Sequence, residues 1–235
     1  MVTKKGTSTA LTPMAIAVLA LLEERPMHPY EMYQLLTLRR EDYLIKIRPG
    51  SLYHTVDRLA EQELVHAEGT GRAGNRPERT SYRIADSGRA ALRARVASIL
   101  VQPEREYPIF PVALSESHNL PRQQVIDALR QRITALDLDI AELDALRAWT
   151  RHKGVPRRYW MVLDYIHTQR DAEVTWLRGF VEELESGELP WEEFDPETGD
   201  RLPCPDDRPG HDWAAAVTED VFAAVRKGGA APPHR

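Results

Sequence analysis

The chain has almost no cysteine and no long apolar run. Only one of its 235 residues, Cys204, is a cysteine, so no disulfide can form within the chain and a reducing cytoplasm is the expected compartment. No apolar run approaches the roughly 18 residues that would indicate a membrane-spanning helix, and the N-terminus lacks the apolar core of a signal peptide. Because apolar residues still make up 42% of the chain, we expect a folded cytoplasmic protein with no membrane partner.

Groups that carry catalytic chemistry are also sparse. The eight histidines show no metal-like spacing, such as two on one helical turn with an acidic third ligand. Cys204 lies in a proline-rich segment with no base placed near it, which favours a free thiol over a nucleophile. Gly69, Gly71 and Gly74 lead into a predicted strand, not into a helix N-terminus, so the geometry of a phosphate-binding loop is missing. We therefore expect no catalytic residues, no metal, no cofactor and no enzymatic activity.

The most informative stretch of the chain is residues 48–84. Pro49 has the fixed φ suited to a first helical turn. Leu52, Val56 and Leu59 then recur at spacings of four and three, which predicts one buried face of a helix. The opposite face is left with small polar, aromatic and basic groups, namely Ser51, Tyr53, His54, Thr55 and Arg58. Two short strands are predicted to follow, at residues 64–68 and 80–84, joined by a loop with three glycines and three arginines.

This order of elements is typical of a winged helix-turn-helix. Its helix can lie in the major groove of DNA while the hairpin reaches phosphates or the minor groove. The predicted DNA-contacting residues are Lys46, Arg48, Ser51, Tyr53, His54, Thr55, Arg58, Arg72, Arg76 and Arg79. The alternative is a winged-helix module whose outer face contacts protein instead. The dense arginines of the wing favour double-stranded DNA as the partner.

Several motifs of this half resemble the PadR family of bacterial transcriptional regulators. They are Met27-His28-Pro29-Tyr30-Glu31-Met32, Pro49-Gly50-Ser51-Leu52-Tyr53, Arg58-Leu59, Glu63-Leu64-Val65, Tyr82-Arg83-Ile84 and Ser87-Gly88-Arg89. The resemblance covers residues 11–95 well, and residues 103–186 are more loosely similar to the helical C-terminal domain of the family's larger members. It implies a regulator, in the first place a repressor, that binds an inverted-repeat operator as a homodimer through residues 103–186. A small molecule or another signal is expected to release it from the DNA. Since the family often has proline where this chain has His54, the resemblance does not predict the operator sequence.

The charge is distributed unevenly along the chain. Residues 1–102 hold 15 basic and 11 acidic residues, whereas residues 103–235 hold 16 and 25, so the net charges are +4 and −9. An acidic half would repel a duplex and is expected to lie away from it, while the N-terminal half meets the DNA. The asymmetry supports the motif, although a charge of this size is also compatible with ordinary scatter.

Helix breakers and periodicity divide the chain into four segments. We expect a disordered arm at residues 1–10, the winged helix-turn-helix at 11–102, a helical dimerisation and effector domain at 103–187, and a proline- and acid-rich tail at 188–235. The tail ends in a short amphipathic helix that begins at Asp212. The predicted fold class is thus mainly α with a small β-hairpin, and its C-terminal domain is an antiparallel helical dimerisation domain.

Two long helices are predicted within residues 103–187. The first begins near Asn119, a break follows at residues 153–156, and the second ends at Gly187. Their apolar stripes are Leu129, Ile133, Leu136, Ile140 and Leu143 in the first helix, and Leu163, Ile166, Val174, Leu177, Val181 and Leu184 in the second. Two helices form too thin a layer to bury both stripes, so we expect a second copy of the chain to cover them. Packing within one chain is the alternative.

Aromatic residues cluster near the ends of these helices. Trp149 ends the first helix, Tyr159 and Trp160 begin the second, and Trp176 lies one turn before Phe180. An aromatic-lined gap in a helical interface can hold a flat hydrophobic effector through stacking and area burial. We therefore regard Trp149, Tyr159, Trp160 and Trp176 as candidate effector-binding residues, with core or dimer packing as the competing interpretation.

Overall fold

A computed structural model describes residues 10–71, 79–195 and 197–202 of the protein. Over these residues the chain forms seven α-helices and one two-stranded antiparallel sheet. The predicted class, mainly α with a small β-hairpin, is therefore confirmed. Contacts divide the chain into two units, residues 1–106 and 107–235. The tail helix predicted from Asp212 lies outside the described residues. No helix in the described part of the chain is long and apolar enough to cross a membrane.

The first unit is built from four helices, and three of them begin at a proline. They are α1 (Pro13–Glu24), α2 (Pro29–Leu38), α3 (Pro49–Glu61) and α4 (Asp86–Val101). Proline is favourable at this position, because the N–H groups of the first turn have no partner within the helix and the one that proline lacks is not missed. Thr12 caps α1 by accepting a hydrogen bond from the N–H of Ala15, and the His28 Nδ1 caps α2 by accepting from the N–H of Tyr30.

The core of the first unit lies between α1, α2 and α3. Its fully buried side chains include Val18 and Leu19 of α1, Met32 of α2, and Leu52, Val56 and Leu59 of α3. The hairpin, β1 (Val65–Gly71) with β2 (Arg79–Ile84), is fixed to this core at its base. There Met27 and Tyr82 exchange two backbone hydrogen bonds, of 3.0 and 2.9 Å. This connection makes the hairpin a wing that projects from beside α3.

The second unit contains α5 (Ile109–Ser115), α6 (Arg122–His152) and α7 (Met161–Ser186). The first long helix thus begins three residues later than predicted, and the short α5 was missed. Gly187 ends α7 with φ +73°, the left-handed conformation expected of a glycine helix stop. Ion pairs link α6 and α7 in antiparallel register, from Arg130 with Glu185 at one end to Arg147 with Asp164 at the other.

The apolar stripes of α6 and α7 pack against each other. Leu136 and Leu143 of α6 are 6% and 0% exposed, and Val174 and Leu177 of α7 are 2% and 0% exposed, all within a single chain. Most of both stripes is therefore buried within one chain, so the stripes alone do not require a second copy of the chain to cover them. Two facing seams can bury each other when α5 and the segment after α7 close their sides, and Phe110, Leu189 and Trp191 do so here.

Candidate nucleic-acid interface

The interface is built around α3. Arg48 precedes it in an extended conformation, and Pro49 sets the helical φ of the first turn. Leu52, Val56 and Leu59 are fully buried against the core. The opposite side of the helix is solvent-exposed along its length, with Ser51, Tyr53, His54, Asp57, Arg58 and Glu61 all exposed. The helix therefore presents a polar, partly charged surface held rigidly from behind.

Thr55 does not belong to that surface. Its side chain is only 7% exposed, and its hydroxyl donates a 2.7 Å hydrogen bond to the carbonyl of Ser51. A threonine hydroxyl bonded to the preceding turn of its own helix can be buried without an unpaired polar group. This burial and this hydrogen bond argue against the predicted contact of Thr55 with DNA.

Tyr53 and His54 lie on the exposed face of the first two turns. The Tyr53 ring is 40% exposed and meets the His28 ring edge to face, with 6.4 Å between the ring centroids. That contact links the outer face of α3 to the capped N-terminus of α2. Arg58, one turn further along, donates to the Thr12 hydroxyl at 3.4 Å while its side chain stays exposed. These residues form one continuous surface across the start of three helices.

Lys46 and Arg48 lie in the segment that leads into α3. Exposure alternates along this segment, since Ile45 and Ile47 pack against the core while Lys46 and Arg48 face solvent. Neither basic side chain forms a hydrogen bond or ion pair with any residue that the structure describes. Their charges are thus available to an external anion beside the N-terminal end of α3.

Other arginines of the first unit are engaged in ion pairs within it. Arg39 binds Glu24, and this hydrogen bond lowers the pKa of the Glu24 carboxyl. The Arg25 guanidinium similarly lowers the pKa of the Glu31 carboxyl by hydrogen bonding. Arg89 pairs with Glu23. These pairs connect α1 to α2 and to α4, so the charges of these three arginines are offset inside the fold.

The wing extends the interface beside α3, but its tip is not described. Val65 pairs with Ile84 and Gly71 with Arg79, and the register is irregular between Ala67 and Thr70. Arg72 and Arg76 lie outside the described residues. Arg79 starts β2, and only its backbone position is described. The strands are thus longer than predicted, and the loop between them is correspondingly shorter.

The candidate effector residues of the second unit do not come together at one place in the chain. Trp160 is 7% exposed, and its indole N–H donates to the carbonyl of Val155 at 2.9 Å, so it packs the turn between α6 and α7. Trp176 stacks on Phe180 with 5.1 Å between centroids. It lies about 24 Å along the α7 axis from Trp160, at 1.5 Å per residue. Trp149 and Tyr159 are 55% and 69% exposed.

No group of three or more histidine, cysteine, aspartate or glutamate residues in the described part of the chain is placed to hold a metal ion. Cys204 lies outside the described residues.

Comparison with known proteins agrees with this geometry. Residues 18–94 match the family model of the transcriptional regulator PadR-like family. No curated protein sequence matches the chain. Among solved structures, the chain is similar to Bacillus subtilis PadR in complex with operator DNA, with a TM-score of 0.61 and 17% identity over 73% of this chain and 97% of that one.

Two further structures are similar to the same extent. The Vibrio cholerae virulence activator AphA matches with a TM-score of 0.58 and 17% identity, over 74% of this chain and 99% of that chain. Bacillus subtilis PadR in complex with p-coumaric acid matches with a TM-score of 0.55 and 16% identity, over 74% of this chain and 98% of that chain. At these low identities the solved structures show a shared fold, whereas the sequence match to the family model supports the family. Residues 18–94, which carry α3 and the wing, therefore form a domain that matches the PadR-like family of transcriptional regulators.

Proposed function

We propose that the protein is a transcriptional regulator that binds double-stranded operator DNA through the outer face of α3 and the wing. The observation that carries the proposal is the division of α3 into a fully buried apolar face and an exposed polar face. The buried face, with Leu52, Val56 and Leu59, holds the helix rigid. The exposed face offers side chains that can bond base edges in the major groove, in particular Ser51, His54 and Arg58.

Phosphate contacts supply the affinity of such a complex. Lys46 and Arg48 are exposed and unpaired within the described part of the chain, at the end of α3 that approaches the duplex in this class of domain. Arg72, Arg76 and Arg79 of the wing add three positive charges by sequence. Phosphate contacts position the protein without reading sequence, and base contacts discriminate between sequences.

We propose further that the chain acts as a homodimer through residues 103–186, on an inverted-repeat operator. The support comes from apolar side chains that stay exposed on α7, not from the buried seams. Met161, Tyr165 and Trp176 are 59%, 64% and 52% exposed, and with Ala172 they follow spacings of four, seven and four. That stripe suits packing along another helix. A two-fold axis there would set two recognition helices about 34 Å apart, one turn of DNA.

Control by a small flat hydrophobic effector is part of the same proposal. One structural neighbour, Bacillus subtilis PadR, is in complex with p-coumaric acid. Exposed aromatic rings at Trp149, Tyr159 and Trp176 offer faces on which such a compound could stack. An effector that binds one arrangement of the DNA-binding units better than another shifts the equilibrium between them. We propose repression as the outcome, since an occupied operator excludes other proteins from the same DNA.

The proposal is tested by selecting sequences from a random DNA pool with the full chain, followed by salt titrations on the selected duplex and on a scrambled one. His54→Ala should weaken binding to the selected duplex by about 1–3 kcal/mol and leave the scrambled duplex nearly unaffected. Arg48→Ala and Arg76→Ala should weaken both duplexes equally and make the slope of log affinity against log salt shallower by about one unit. Arg178→Ala, which removes the same charge from α7, is the matched control.

Several results would contradict the proposal. A pool that yields no enriched sequence would favour the alternative of a protein-interaction module. A monomer mass by light scattering at micromolar concentration would exclude the dimer and the inverted repeat. If expression of a reporter gene behind the operator rises when the protein is present, the protein is an activator and the proposed repression is wrong. For the effector, compounds that release DNA should change tryptophan emission, and Trp149→Phe should remove that change with the dimer intact.

A further inference from the structure

The exposed face of α3 carries acidic groups as well as basic ones. Asp57 and Glu61 are both exposed there. Asp57 follows Tyr53 by four residues and His54 by three, the spacings that place side chains next to each other on a helix surface. Its carboxylate therefore lies on the same strip of surface as Tyr53 and as His54, one of the residues that can bond base edges.

The carboxylate of Asp57 is unused within the fold. It forms no hydrogen bond or ion pair with any residue that the structure describes. Some carboxylates of this unit are engaged, such as Glu24 with Arg39 and Glu31 with Arg25. Arg58, the next residue in the chain, extends to Thr12 instead. Asp57 thus keeps all its acceptor capacity for a ligand outside this part of the chain.

A free carboxylate on a DNA-facing surface has two consequences. It is repelled by the phosphates, which lowers the affinity for every duplex. It also accepts hydrogen bonds but donates none, so it matches only base edges that donate. In the major groove cytosine presents its N4 amino group, whereas guanine N7 and O6 and thymine O4 are acceptors that would repel it. Adenine presents an N7 acceptor beside its N6 donor, which makes it a poorer match for a carboxylate.

We infer that Asp57 is a specificity-determining residue that accepts a hydrogen bond from the N4 amino group of cytosine at one position of each operator half-site. The inference rests on the proposed function and assigns a chemical preference to one position of the operator. It is distinct from the contacts of His54 and Arg58, because much of the discrimination comes from repulsion of guanine and thymine. Such a residue lowers affinity in general and sharpens the choice between sequences.

The experiment compares the full chain with three variants in selection from a random DNA pool. Wild type should enrich cytosine at one position of each half-site. Asp57→Asn should shift that position towards adenine, since an amide can both donate to N7 and accept from N6. Asp57→Ala should lose the preference there, so that the ratio of affinities for cytosine over guanine falls roughly 10-fold to 100-fold. It should also bind a scrambled duplex more tightly than wild type does.

Glu61→Gln is the matched control, because it neutralises a carboxylate one turn further along the same face. It should raise affinity for all duplexes without altering the preference at any position. If wild type enriches a motif and Asp57→Asn and Asp57→Ala enrich the identical motif, the inference is wrong although the proposed function stands. If wild type enriches nothing, the proposed function itself fails. Unchanged thermal unfolding of each variant, expected for exposed side chains, shows that folding does not explain the result.

Discussion

Gly88→Ala is predicted to destabilise the first unit severely. Gly88 lies in the first turn of α4, where a Cβ would stand 2.1 Å from the carbonyl oxygen of Leu64 and 3.0 Å from a side-chain carbon of Ile84. Real Cβ atoms essentially never come closer than 3.0 Å to another heavy atom. The backbone of α4 would have to move by about 1 Å away from the start of β1.

That displacement would weaken the hydrogen bonds that hold the start of α4 to the two residues before β1. The N–H of Ala85 donates to the same Leu64 carbonyl at 3.0 Å, and the Ser87 hydroxyl donates to the Glu63 carbonyl at 2.7 Å. Two such bonds contribute about 1 kcal/mol each, and overpacking costs about 1–3 kcal/mol. The better helix propensity of alanine returns about 1 kcal/mol. The net loss of unfolding free energy is therefore about 2–4 kcal/mol.

The assay is urea unfolding and thermal melting followed by far-ultraviolet circular dichroism. Gly88→Ala should lower the melting temperature by roughly 10–25 °C for a unit of this size. Gly179→Ala in α7 is the matched control, because a Cβ there meets nothing within 4 Å. The control should be neutral or stabilising by up to about 1 kcal/mol. If Gly88→Ala unfolds within about 0.5 kcal/mol of wild type, the close approach of α4 to Leu64 that underlies this reasoning does not exist.

Three further changes should have smaller and more specific effects. Hydrogen bonds from Arg157 and Arg147 lower the pKa of Asp164. The stability that these bonds give is therefore present above the ordinary pKa of an aspartate and is lost as pH falls through the lowered value. When the free energy of unfolding is measured against pH in acid, Asp164→Asn should show a weaker loss than wild type. Glu63 has φ +56°, a left-handed conformation that disfavours any side chain, so Glu63→Gly should raise the free energy of unfolding by about 1 kcal/mol in urea titrations, and no gain would argue against that conformation. Thr55→Val should leave the sequence selected from a DNA pool unchanged, because the buried hydroxyl donates its hydrogen bond to the carbonyl of Ser51. A changed selected sequence would indicate that Thr55 does contact DNA.

Periodicity predicts an element well when the element buries one continuous face. In α3 the spacing of Leu52, Val56 and Leu59 predicted both the helix and its buried side, and all three side chains are fully buried. The helix α5 is different, since its seven residues bury no side chain completely and Pro111 lies within its first turn. A proline in the first turn is compatible with a helix, but the sequence pattern alone indicates a helix break at that position. A short helix with one partly buried side chain has too few apolar positions to show the periodicity that predicts a longer helix.

Polarity alone does not tell which polar residues face solvent. Thr55 was assigned to the outer face because it is polar, yet a bond to the Ser51 carbonyl allows it to be buried. Trp160 was grouped with the candidate effector-binding aromatics, yet its indole N–H donates to the Val155 carbonyl and its ring is buried. In both cases a local backbone partner satisfies the polar atom. Such partners depend on main-chain positions that the residue types do not specify.

The net charge of the first half is likewise a poor guide to where DNA would bind. Arg25, Arg39 and Arg89 contribute to the total, but each is paired with a glutamate on a neighbouring helix. Lys46 and Arg48 contribute no more to the count, yet they are exposed and unpaired in the described part of the chain. A phosphate backbone responds to charges that remain uncompensated at the surface. The pairing inside the fold, more than the sum of charges, therefore decides which basic side chains stay available to DNA, and Lys46 and Arg48 are two of them.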